Sequence, residues 1–353
     1  MSDNNNEIQL EPIKSEDNDL DIDIASYKIN TYGADFTLEL LSKKLDDAEI
    51  LVPSFQRRYV WNTKKASKLI ESFLLGLPVP QIFLFRQEDT QDLMVVDGQQ
   101  RLKSINYFFK ERYEDGSRFS LVGVKSQWEG KVYSDLSEQD KRKFKNSILR
   151  ATIFEQTDPA DNSSVFEIFE RLNTGGMALT PQEIRNCVIN GPINKFLENL
   201  NKNAQWRKLL GKPDPDSRMK DIEMLVRFFA LYENWAEYTK PMKDFINTYM
   251  EGRKDITEEK QNELSQLFQN TINFIFSELG ENAFRIKSGI NVAVFDSVMT
   301  SISLIGTNKI TNAKESYERL LKIEAYKEAV SEHTTDVEKV QGRIKMAITE
   351  FSK

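Results

Sequence analysis

Leu93-Met-Val-Val-Asp97-Gly98-Gln99-Gln100-Arg101-Leu102 is the stretch from which the fold is read. A short apolar run turns at Asp-Gly into an amphipathic segment carrying two amides and a guanidinium. Val95 and Val96 end a buried strand. Leu102, Ile105, Phe109 and Arg112 then recur at helical spacing, so the polar residues fall on the first turn of a helix. Backbone N–H groups at a helix start have no partner within the helix and attract anions, which makes the corner a phosphate-binding candidate. A second reading needs no ligand: Asp97 as N-cap and Gln100 at N3 form a capping box. It accounts for Asp97, Gly98 and Gln100 but not for Gln99 or Arg101. A cation on the first turn opposes the helix dipole, so something anionic is expected beside Arg101.

Upstream, Leu51-Val-Pro53-Ser-Phe55-Gln56-Arg57-Arg58-Tyr59-Val-Trp61 packs aromatics, an amide and two arginines into one short stretch. Asn62-Thr63 then caps a helix whose apolar face is Ala66, Leu69, Ile70, Phe73 and Leu74, with Gly76 and Pro78 stopping it. Gln81 to Phe85 reads as a strand. Basic-aromatic loop, helix, strand, loop, strand, Asp-Gly corner and helix describe an α/β unit able to bring Arg57 near Arg101.

These residues resemble the N-terminal domain of GmrSD-type restriction endonucleases, a branch of the ParB and sulfiredoxin-like fold. The resemblance rests on Pro53 to Trp61, on Gly76-Leu-Pro-Val-Pro80-Gln-Ile, and on Val96-Asp97-Gly98-Gln99-Gln100-Arg101-Leu102. A fourth block, Phe166 to Asn186 with Arg171-Leu-Asn173-Thr174-Gly175-Gly176 at its centre, agrees. The resemblance implies binding or hydrolysis of an NTP (ATP, GTP or CTP) with Mg²⁺, coupled to a DNA nuclease in defence against modified or foreign DNA. That nuclease is usually a separate module of the HNH type.

Such a module needs several histidines, and this chain has one, His333. Set between the end of one helix and the start of another, it reads as a solvated helix-end residue, and alone it supplies neither an HNH nor a His-rich zinc site. Glu258-Glu-Lys260 lies in a polar helix start rather than in a strand. Gly130-Lys131 and Gly211-Lys212 are followed by Val132 and Pro213, so neither makes a Walker A loop, and no Gly-x-Gly-x-x-Gly occurs. Cys187, the single cysteine, falls on a helix opened by the capping box Thr180-Pro181-Gln182-Glu183 and reads as buried.

With 353 residues, of which 39% are hydrophobic, the chain can bury the cores of two domains. No apolar leader and no run of eighteen apolar residues is found, so a cytoplasmic protein without membrane contact is expected. The net charge of −7 lies wholly in residues 1–25, which hold eight acids and one lysine and read as disordered. Residues 51–157 carry eighteen Lys or Arg against thirteen Asp or Glu, densest at Lys141-Arg142-Lys143-Phe-Lys145. That cluster reads as a DNA contact or, equally simply, as the solvated face of a helix capped by Ser137.

From about residue 160 the pattern is helical. One helix carrying Val165, Ile168 and Leu172 closes at Asn173-Thr174-Gly175-Gly176, a glycine elbow that reads as a C-cap or, with Arg185 or Asn186 in support, as a site lining. Asp221 to Phe229 and Ile290 to Ile302 read as core helices, and Gly211-Lys-Pro213-Asp-Pro215-Asp as the internal break.

The expectation is an α+β protein: a disordered acidic tail over 1–29, a ParB-like nucleotide-binding α/β domain over 30–158, and a helical domain over 159–353. The expected nucleotide site is Gln56, Arg57, Gly98, Arg101, Asn173, Thr174 and Gly175, with Asp97, Gln99, Gln100 and Arg101 as catalytic groups and Asp97 as metal contact. In this reading Arg57 and Arg101 hold the triphosphate and a glutamine positions water. The expected role is an NTP-hydrolysing sensor that acts on DNA, including modified DNA, with a separate nuclease subunit; homo-oligomer formation is left open. Two rivals stand: an NTP-gated DNA-binding module without turnover, and a metal-dependent nickase built on Asp97 with Asp92 or Glu88.

Overall fold

Two compact units make up the chain: Ser26–Leu179, and Thr180–Lys353 together with Met1–Ala25. The division falls at Thr180, later than the residue 159 at which the sequence reading starts the helical part. The computed structural model describes residues 7–11, 28–52, 59–87, 91–158, 168, 180–189 and 191–353.

The first unit is ordered β1 (Lys28–Thr37), α1 (Leu38–Asp46), β2 (Ile50–Leu51), α2 (Thr63–Leu75), β3 (Ile82–Arg86), β4 (Leu93–Asp97), α3 (Gln99–Lys110), α4 (Glu138–Asn146) and β5 (Ile148–Asp158). Its five strands lie in the order β1-β5-β3-β4-β2. β1 runs antiparallel to β5, β5 parallel to β3, β3 antiparallel to β4, and β4 parallel to β2. The ends of β4 and β2 and the beginning of β3 therefore meet at one side of the sheet, and there β4 gives way to α3.

Alternation assigns the two faces of the sheet. Ile82, Leu84, Leu93, Val95, Leu149, Ala151 and Ile153 point into a core shared with α1, α2 and α3. The intervening Phe85, Met94, Val96 and Phe154 are also no more than 3% exposed, so the central strands are buried on both faces. Period-two residues on both faces are apolar because both are covered. α2 forms as its sequence predicts: Asn62 Oδ1 accepts from Lys65 N at 2.9 Å, the apolar stripe is buried, and Gly76 ends the helix at φ 78°. α4 starts at the expected Ser137 cap and sends only Phe144 into the core.

The second unit holds ten helices between Pro181 and Phe351 among the described residues. At its centre Asp296, on the helix Val292–Ile305, is fully buried and takes two guanidiniums. Its Oδ1 accepts from Arg227 Nε at 2.7 Å, and its Oδ2 from Arg227 Nη2 at 2.8 Å and Arg343 Nη2 at 2.7 Å. Three helices, Lys220–Asn234, Val292–Ile305 and Val337–Phe351, are thus locked through one carboxylate. The Gly211–Asp216 stretch is a turn inside this unit and not a break between domains. Buried Asp221 fixes it, accepting from Arg207 Nη1 at 2.7 Å and from Asp216 N at 2.8 Å.

Residues 7–11, part of the stretch read as disordered, lie against this unit. Ile8 is 2% exposed, Leu10 makes a parallel bridge to Ile290, and the Glu11 carboxylate accepts from the Ile286 and Lys287 amides. Buried Ile8 provides the apolar anchorage that the acidic composition around it obscures, while Leu10, 38% exposed, is held through its backbone.

Removing one member of a buried ion cluster leaves uncompensated charge in a low-dielectric interior. Asp296→Ala, which strands Arg227 and Arg343, is expected to lower the stability of the helical unit by about 3–5 kcal/mol. Chemical denaturation followed by Trp fluorescence checks this, and a change under 1 kcal/mol would refute it.

Candidate functional site at the start of α3

The corner between β4 and α3 turns on Gly98, which adopts φ 105° and serves as N-cap without any side-chain hydrogen bond to the helix. A Cβ at this position would sit 2.3 Å from Ile82 Cγ2. The glycine is required twice, for its left-handed backbone and for its contact with the first residue of β3. The capping box expected from Asp97 and Gln100 is absent, because Asp97 remains in the strand and its carboxylate faces Arg101. Asp97 Oδ2 accepts from Arg101 Nη2 at 2.6 Å, and the same nitrogen donates to the Gln81 carbonyl at 3.0 Å. The anion expected to offset Arg101 is thus supplied in part by the chain itself.

The guanidinium keeps further capacity. Of its five N–H donors two are engaged at Nη2, and Nε is buried with no hydrogen-bond partner among the described residues. Arg101 and Asp97 side chains are 17% and 41% exposed, so the pair lies at the surface end of the corner. The first amides of α3 carry no side-chain cap.

Gln100 and Gln99 have different surroundings. Gln100 Oε1 accepts from the backbone of Val60 at 3.0 Å and of Trp61 at 3.2 Å, which ties the segment before α2 to the first turn of α3. Its side-chain oxygen is thereby occupied. Gln99 is 8% exposed and also has a partner. One turn on, Ser104 Oγ donates to the Gln100 carbonyl at 2.7 Å and lies 2.8 Å from the Tyr59 hydroxyl. Burial pushes the Tyr59 phenol up to about 12, against the opposing Ser104 hydrogen bond. Tyr59 also meets the rings of Tyr107 and Tyr113 at 5.0 and 5.7 Å.

Gln56, Arg57, Asn173, Thr174 and Gly175 lie outside the described residues, as does Glu88. Their flanks reach the corner in one case: Leu51 pairs with Met94 on β4, and Val60 and Trp61 bond Gln100. The elbow that Arg185 was expected to support lies outside the described residues. Arg185 itself is 1% exposed inside the helical unit, where it donates to Glu223 at 2.6 Å and Gln182 at 2.8 Å, while Asn186 accepts from Asn194. In the basic cluster, Lys141 pairs with Glu138 at 3.1 Å and Lys145 with Glu39 at 2.6 Å, which leaves Arg142 and Lys143 as its exposed part. Asp92 precedes β4 and Asp97 ends it; five residues of strand put them about 16 Å apart, too far to share a metal ion. Among the described residues no group of three His, Cys, Asp or Glu gathers. Asp97, engaged by a guanidinium, is a poor cation ligand, so these residues by themselves do not build a magnesium site.

Sequence reading missed Gln81, whose carbonyl anchors Arg101 and whose Oε1 accepts from Thr152 Oγ1 at 3.2 Å, because a backbone acceptor has no side-chain signature. It also missed Tyr107 and Tyr113, although their spacing from Tyr59 and Trp61 across two helices is visible only once α2 and α3 pack.

Comparison with family models matches residues 37–190 to the GmrSD restriction endonuclease, N-terminal domain. Comparison with curated proteins finds no match. No helix among the described residues is long and apolar enough to cross a membrane.

Gly98→Ala forces a side chain into the left-handed region and against Ile82. It is expected to cost about 1–3 kcal/mol of stability in the α/β unit; an unchanged urea midpoint would show that the corner is more pliable than its geometry implies.

Proposed function

Since residues 37–190 belong to the N-terminal domain family of GmrSD restriction endonucleases, we propose that this chain is the nucleotide-binding component of a restriction system, acting on DNA with a nuclease carried elsewhere. One observation carries the nucleotide reading: Arg101, held by Asp97 and Gln81, keeps a buried Nε without a described partner beside a helix start that no side chain caps. Phosphate oxygens match both donor types, since backbone amides and a guanidinium bind oxyanions by directed, charge-assisted hydrogen bonds.

Asp97 has an orienting role here. Its ion pair fixes the guanidinium plane, and neutralising it would release Arg101 from the corner. Gly98 lets the chain turn without a side chain between the phosphate and the amides. Residues 53–58 with Gln56 and Arg57, and the Asn173-Thr174-Gly175 elbow, are proposed to complete the phosphate shell, and exposed Arg142 and Lys143 to meet DNA backbone. A magnesium ion, when bound, supplies charge neutralisation to the phosphates; the described residues do not gather ligands for it, and no step is assigned to it. The single histidine leaves HNH chemistry to another domain or polypeptide.

Hydrolysis is proposed to follow from charge stabilisation at Arg101. The Gln100 contacts to Val60 and Trp61 favour a second reading, in which phosphate binding shifts the segment before α2 and gates DNA binding without turnover.

Release of labelled phosphate from each NTP, with Mg²⁺ and with or without DNA, tests both readings. Arg101→Ala is expected to cut turnover on the order of 10²-fold. Turnover that survives the substitution intact would end the hydrolytic assignment, and nucleotide binding without turnover in the wild type would leave the gating form.

A further inference from the structure

Glu7-Ile-Gln-Leu-Glu11 lies on the helical unit in the manner of a bound peptide. Glu11 N donates to the Ile290 carbonyl at 2.9 Å and Ile290 N to the Gln9 carbonyl at 2.9 Å, which makes the parallel bridge between Leu10 and Ile290. Ile8 N donates to the carboxylate of buried Asp216. Both end carboxylates are engaged: Glu7 pairs with Lys220 Nζ at 2.8 Å, and Glu11 accepts from the Ile286 and Lys287 amides and from Asn291 Nδ2 at 3.2 Å. Of the side chains between them only Ile8 is buried, while Gln9 and Leu10 are exposed.

Gly289 shows that the surface beneath is shaped to this backbone. A Cβ there would meet Glu11 N at 2.8 Å, the Leu10 carbonyl carbon at 2.9 Å and the Gln9 carbonyl oxygen at 3.0 Å, its three nearest neighbours. All three belong to the docked segment. A hollow of about 530 Å³, lined by residues 7–10 together with Lys212, Lys220, Ser288 and Gly289, runs alongside, so the segment lies in a groove and not within the core.

We propose that this groove is a peptide-recognition site and that the chain's own N-terminal segment is its ligand, bound reversibly in cis. Strand addition of this kind draws affinity from main-chain hydrogen bonds and specificity from side-chain pockets. The pattern read here is a carboxylate at Glu7, an aliphatic side chain directly after it at Ile8, and a second carboxylate at Glu11. One buried aliphatic residue and a few backbone hydrogen bonds make a weak ligand, since each such bond replaces one made with water. Covalent attachment offsets the weakness by raising the local concentration of the segment to the order of millimolar.

Two effects follow from occupancy. Glu11 reaches Asn291, whose Oδ1 accepts from Val294 N at 3.0 Å and so caps the helix that carries Asp296. The filled groove thereby supports the start of that helix. Docking also makes residues 12–27 a second covalent connection between the helical unit and β1, in addition to the chain that leads from β5 to Thr180.

Fluorescence anisotropy of a dye-labelled synthetic peptide of residues 4–13, titrated with the full chain, tests this. Ile8→Asp in the chain removes the buried anchor of the resident segment and leaves the groove intact. That variant is expected to bind the wild-type peptide about tenfold or more tighter than the wild-type chain does, because the wild-type groove is already filled. A peptide carrying Ile8→Asp should not bind, and adding Gly289→Ala to the chain variant should abolish the gain by placing a methyl group against the peptide backbone. Hydrogen exchange gives a second readout: the Ile286, Lys287 and Ile290 amides should exchange about tenfold or more faster in Ile8→Asp and regain protection with excess peptide, while amides within Val292–Ile305 stay protected. Equal peptide binding by wild type and Ile8→Asp, or binding that survives Gly289→Ala, would overturn the recognition site. Loss of the helical circular-dichroism signal in Ile8→Asp would overturn it as well, because the segment would then be a fixed part of the unit and not a ligand.

Discussion

The Asp97–Arg101 ion pair spans one helical turn, and much of the α/β unit is arranged around it. It joins the last residue of a central strand to the third residue of the helix that follows, and through Arg101 Nη2 it also fastens the residue before β3. Three chain segments therefore share one guanidinium. An exposed pair of this type contributes little on its own; here the partly buried arginine and the left-handed Gly98 make the geometry specific, so that the corner has one conformation available to it. Pre-arranged donors of this kind bind an anion without the entropic cost of ordering them first.

Charge is used differently in the helical unit. Asp296 with Arg227 and Arg343 is sealed from solvent and has no described opening to a ligand. Its effect is registration: three helices can pack in only one axial arrangement if each is to present its charged group to the others. Apolar ridges alone would accept several. The two clusters have similar chemistry and opposite exposure, and the sequence pattern around them does not distinguish the two cases.

That limits what could be read beforehand. α2 and its stop at Gly76, the β3-β4-α3 order, the Ser137 and Thr180 caps, and the core helices Lys220–Asn234 and Val292–Ile305 were legible because local periodicity and capping chemistry dictate them. β1 was not: an edge strand with most residues exposed has no alternation to detect, and its pairing with β5 joins residues more than a hundred positions apart. At the site, residue types were legible but their partners were not. The motif suggested a cap and a free arginine; Asp97 and Arg101 instead satisfy each other, and Gln100 turns to the segment before α2. Arg185 seemed available from its place near the glycine elbow, while packing buries it against Glu223. Burial and pairing depend on neighbours distant in sequence, which no local pattern encodes.

The anchorage of Val60 and Trp61 on Gln100 separates two design problems. β2 is held by β4 on one side of residues 53–58, and the start of α2 is held by α3 on the other. Both ends of that segment are thus anchored by residues outside it, so a substitution at Gln100 would release the α2-side anchor while leaving the β2 side paired.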